Sequence, residues 1–206
     1  MDQRTETGGL LSAMTTEHFV LQSANSSTYA EASARSSLYV MALSSSLVAM
    51  GFLSSSRDVF LPFAATIIPT LFLLGLFTVV RLVETSLESM HYMTGIARIR
   101  AYYRSLGPEA ARQFTAEGGR WPEVSSPALR FGPTLAFMGT TASMIAVTNN
   151  VVAGAGAALL MNWWWPTVST SGCAVAGVAI GLLLTWVFYV YQRWRFNDYG
   201  AGGQRF

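Results

Sequence analysis

Among the residues able to do chemistry, Glu84, Glu88 and His91 form the one suggestive cluster. Their spacing puts them on one face of a helix. Glu-x-x-His is how a single helix supplies two ligands to a carboxylate di-metal centre in a four-helix bundle. Such a centre needs a second Glu-x-x-His, and the only other histidine, His18 beside Glu17, does not provide one. The triplet therefore reads as a solvated helix face balanced by nearby arginines. Neither histidine stands in a recognisable order with a serine and a carboxylate, and no Gly-x-Ser-x-Gly turn occurs. Gly154-x-Gly156 lacks the third glycine, the preceding strand and the basic residue of a phosphate cradle. The single cysteine, Cys173, lies in an apolar run, where a thiolate is disfavoured and a small packing residue is the natural reading. Asn25-Ser26-Ser27 matches a glycosylation sequon, a short pattern to which we attach no meaning. No catalytic residue, metal site or cofactor is expected.

The elements around these residues belong to a membrane. Apolar residues make up 51% of the 206 and charged residues 12%, about half the charged share of a soluble domain. A net charge of +2 gives no footing for nucleic acid. All 13 basic residues are arginine, which we read as codon bias of a GC-rich bacterial genome.

Residues 1–15 are polar and are expected to be mobile, without the pattern of a cleaved signal peptide. From Thr16 to Met50 there is neither proline nor glycine, so one helix can run throughout, with Thr15 or Thr16 as its N-cap. Its second half, 37–53, is uncharged but short of the about 20 residues a span requires. A connector holding Arg57 and Asp58 leads to an unambiguous span at 60–80, with Pro62 in its first turn and Pro69 inside, where it should kink the helix. Beyond Arg81, apolar residues from Val83 to Leu106 recur at helical spacing up to Gly107-Pro108. Residues 16–36 and 81–106 should pack as an antiparallel stalk, making 16–106 one long hairpin.

A polar linker, 107–130, follows, with a short proline-led helix at its start. From Phe131 to Gln192 there is no Asp, Glu, Lys, Arg or His. That is too long for one span and suits two, at about 131–148 and 172–191. Asn149-Asn150 and an apolar stretch at 151–161 lie between, the latter extending the third helix, dipping into the membrane or lying on its surface. Residues 193–206 form a tail. Arginines gather before the first span, between the second and third and after the fourth, leaving only Arg57 opposite. The positive-inside rule then places both termini in the cytoplasm of a bacterial inner membrane. The expected fold is all-α: four transmembrane helices as two hairpins, with a cytoplasmic helical stalk.

Within the spans, Cys173, Gly177 and Gly181 recur every four residues, a small-residue row against which another helix can pack closely, in the same bundle or in another protomer. Gly139 with Ser143 is a weaker version. Ser44, Ser45 and Ser46 crowd the first span as packing contacts or a pore lining, and Trp163-Trp164-Trp165 reads as an interfacial anchor. No span carries the ionisable residue that pumps and coupled transporters need.

The stretch from Glu17-His18-Phe19-Val20-Leu21-Gln22 through Arg81-Leu82-Val83-Glu84-Thr85 resembles small uncharacterised integral membrane proteins of actinobacteria, a resemblance that implies no activity. The layout of a long hairpin with cytoplasmic extensions is also similar to multi-span effector domains of anti-phage systems, which implies an oligomeric pore. The expected function is that of a non-enzymatic membrane protein working through assembly with itself or a membrane partner. The alternative is a pore gated through its stalk. Its surroundings are the lipid bilayer, with no nucleic acid.

Overall fold

The computed structural model describes residues 3–114 and 139–203. Five helices occur among them: α1 (Gln3–Leu53), α2 (Arg57–Ser105), α3 (Pro108–Gln113), α4 (Thr141–Trp164) and α5 (Thr170–Gly203). There is no strand among the described residues. Four of the helices, all but α3, are long and apolar enough to cross a membrane. The chain is an all-α, multi-pass membrane protein.

The helices divide between two compact units. The described part of the first holds residues 3–31 and 84–114, and that of the second residues 32–83 and 139–203.

In the first unit the two long helical stretches run antiparallel. Ser89 Oγ donates to Asn25 Oδ1 at 2.7 Å, and far along the pair Thr15 Oγ1 and Tyr103 OH lie 3.4 Å apart. Leu87, Ile96 and Ile99 are buried, and Asn25 and Thr28 are buried beside them. Gly95, the weak point of this stretch for a helix, makes room for a neighbour: a Cβ there would stand 2.9 Å from Leu21 Cδ1. Helix α3 starts at Pro108, where the missing N–H has no intrahelical use. At its end Phe114 meets Tyr103, ring to ring at 5.3 Å, and lies under the Arg100 guanidinium at 6.0 Å.

The core of the second unit comprises Tyr39, Leu43, Leu71, Val79, Leu82, Val83, Ala142, Ile145 and Ala146. Much of its outward surface is apolar, with Val175, Leu182 and Trp186 each more than 60% exposed on α5. Such a surface suits lipid, where there is no hydrophobic penalty for leaving it uncovered.

Several expected boundaries move. Helix α1 begins at Gln3, so residues 3–15 are helical, and Thr15 and Thr16 are not caps. Their hydroxyls instead donate back to the Leu11 and Ser12 carbonyls, at 2.9 and 3.1 Å, as hydroxyls do inside helices. Residues 151–161 extend the third helix, and Asn149-Asn150, read as its end, lie in its middle. The helix carries them because neighbouring helices bond both ends of the Asn149 amide and the nitrogen of Asn150. Helix α4 starts at Thr141, whose neighbour Thr140 caps it by accepting from Ser143 N. The expected start of that span at Phe131, and most of the 107–130 linker, lie outside the described residues. Helix α5 continues to Gly203, through most of the expected tail.

Candidate functional site

The polar chemistry of the second unit is concentrated on α4. Asn149 joins three helices, its Oδ1 accepting from Tyr39 OH on α1 at 3.2 Å and its Nδ2 donating to the Phe72 carbonyl of α2 at 3.2 Å. Both side chains are buried, Tyr39 completely. Gly75 makes the junction possible, since a Cβ there would run into Asn149 Oδ1 and come within 2.8 Å of the Tyr39 ring. Nearly two turns back along the same helix, Ser143 Oγ donates to Gln192 Oε1 of α5 at 3.2 Å, and Gln192 Nε2 reaches Thr140 Oγ1 at 3.4 Å. Gln192 is 1% exposed. Asn150 Nδ2 donates to Thr185 Oγ1 at 3.2 Å, and Thr185 in turn donates to the Gly181 carbonyl at 2.8 Å.

These groups are uncharged and largely pair with one another, as polar residues between membrane helices do. They hold helices in register.

The small-residue row finds its partner within the chain. Cys173 and Gly177 are buried, and a Cβ on Gly177 would stand 2.5 Å from the Gly154 carbonyl oxygen and 2.8 Å from Ala158 Cβ. Gly181 faces the Asn150 carbonyl. Of the two partners left open by the spacing, α4 of the same molecule occupies this face. Gly154, dismissed as part of a phosphate loop, is the matching half of that contact. Gly139 precedes α4 on an exposed turn, and Ser143 serves the Gln192 cluster. Of the three serines, Ser46 is buried, while Ser44 and Ser45 are exposed. Trp163, Trp164 and Trp165 are all exposed at the end of α4, the first two stacked at 6.2 Å.

Glu84, Glu88 and His91 stay together on α2 with His91 exposed, and no group of three His, Cys, Asp or Glu among the described residues is placed to hold a metal. Sequence reasoning missed Tyr39, Gly75, Asn149, Asn150 and Gln192. The signal was available: amides inside an uncharged run are costly in lipid unless they bond across helices.

Two apolar hollows flank α4. One, of about 240 Å³, lies between Leu61–Phe72 of α2 and Ala153–Trp163 of α4. The other, of about 280 Å³, is walled by α2, α4 and α5 around Asn149 and Asn150. Neither a family model, nor a curated protein, nor a solved structure matches the chain.

Proposed function

We propose that this chain is a non-enzymatic, four-span protein of a bacterial plasma membrane that acts through assembly, with itself or with a membrane partner complex. Arginine placement supports cytoplasmic termini, and the first unit then serves as the cytoplasmic stalk. The observation that carries the reading is on α1. Ser44 and Ser45 are exposed within the first span, and neither hydroxyl has a hydrogen-bond partner among the described residues. Hydroxyls of Thr66, Thr70, Thr78 and Thr148, by contrast, donate to the carbonyl one turn back at 2.8–3.0 Å. A hydroxyl left unbonded in hydrocarbon is unfavourable, and a helix from another molecule supplies the partner. Ser37, Ser44 and Gly51, each exposed and seven residues apart, keep that face of α1 open to close approach. The same outward hydroxyls favour a second reading, in which assembled copies line a water-filled pore with them.

Oxidative cross-linking in native membranes tests the assembly. In a Cys173→Ser background, Ser44→Cys should give a disulfide-linked dimer, whereas Leu73→Cys, exposed on α2, should not. A chain that stays monomeric by native mass and shows no cross-link at 44 or 45 would remove the support. Single-channel currents that depend on Ser44 would select the pore reading.

A further inference from the structure

The two asparagines of α4 differ in what they leave unused. Both ends of the Asn149 amide are engaged. Asn150 is 7% exposed and engages only its nitrogen. The orientation follows from its partner: Thr185 has committed its own hydrogen to the Gly181 carbonyl, so towards Asn150 it can only accept. The NH₂ group must therefore face Thr185, and Oδ1 is left as an acceptor with no hydrogen-bond partner among the described residues. Asn150 lines the hollow of about 280 Å³, whose other walls are apolar apart from Asn149 and Tyr191.

We propose that this hollow binds a neutral, hydroxyl-bearing lipophile, an alcohol or phenol with a roughly two-ring apolar body, whose hydroxyl donates to Asn150 Oδ1. An apolar cavity of about 150 Å³ takes one benzene, and 280 Å³ approaches the about 300 Å³ at which small-ligand pockets begin. The unused group is an acceptor, so the ligand must bring a donor. No charged residue or histidine lines the hollow, so an ionic headgroup would be desolvated without compensation. Water alone would fill little of the volume: the walls are mostly apolar, and a water at Asn150 Oδ1 would leave that apolar surface uncovered. A bare acyl chain would fill the volume and leave the oxygen unbonded. The proposal does not depend on the assembly reading.

The test uses the full chain in phosphatidylcholine nanodiscs, with ¹³C-methyl signals of Leu184 and Val187 reporting occupancy. The probes are 2-naphthol and its methyl ether, which has the same rings and no donor. 2-Naphthol should bind saturably and about five- to tenfold more tightly than the ether, the worth of one neutral hydrogen bond. Asn150→Leu should reduce that preference to less than about threefold while the ether still binds. Val187→Trp, a half-exposed wall position able to accept bulk, should abolish binding of both, and it keeps the test open should Asn150→Leu not accumulate. Equal affinity for the two probes would overturn the proposal in favour of an acyl-chain groove. Absence of saturable shifts, a preference that survives Asn150→Leu, or binding unaffected by Val187→Trp would overturn it as well.

Discussion

Gly154 on α4 and Gly177 on α5 face each other so closely that a Cβ on either would lie 2.5 Å from the other's carbonyl oxygen. Backbone meets backbone there, and no flexible side-chain end can yield. Gly177→Ala should therefore destabilise the α4–α5 hairpin by about 1–3 kcal/mol, as overpacking does, and Gly177→Leu by more. Gly9 provides the control, since it lies in α1 and nothing lies within 4 Å of a Cβ there. Gly9→Ala should be neutral or stabilising by up to about 1 kcal/mol from helix propensity. Reversible unfolding in mixed micelles measures both, and equal effects at 9 and 177 would contradict the contact.

The Tyr39–Asn149 hydrogen bond joins helices whose sequence positions are far apart. Tyr39→Phe and Asn149→Ala should each destabilise, and a double-mutant cycle should return a coupling of about 0.6 kcal/mol, up to about 1.7. Additive single effects would mean that the two side chains do not interact in the bilayer.

In the first unit, Asn25 and Ser89 meet at 2.7 Å. Cysteines at 25 and 89, in a Cys173→Ser background, should form an intramolecular disulfide on mild oxidation, seen as a mobility shift reversed by reductant. Cysteines at 25 and 105 should not, because 16 residues of helix separate 89 from 105 by about 24 Å. Bridging of 25 with 105 in preference to 89 would refute the antiparallel register.

The arginine distribution makes a prediction about sidedness. With Cys173 replaced by serine, an impermeant thiol reagent should label cysteines at 57 and 165 from outside the cell, and at 112 only after the membrane is opened. All three native side chains are exposed. Outside labelling of position 112 would overturn the cytoplasmic placement of the termini.

The sequence by itself determined the class and most of the helices. Four apolar segments and an uncharged run from Phe131 to Gln192 leave an all-α membrane protein as the reading, although Pro62, expected in the first turn of its helix, lies inside α2, which begins earlier, at Arg57. Hydrocarbon admits only segments whose backbone bonds are satisfied internally, so hydropathy is read almost directly as topology. Where helices end was less legible. Thr15 and Thr16 have the composition of a cap, and Asn149-Asn150 that of a turn, but a hydroxyl can bond its own helix and an amide can bond the next one. Only the tertiary structure decided between these uses, because the partners, Tyr39, Phe72 and Thr185, are distant in sequence. It also decided what the Cys173–Gly177–Gly181 row packs against. Small residues permit close approach by any helix, and which helix arrives depends on the matching Gly154 that α4 brings opposite.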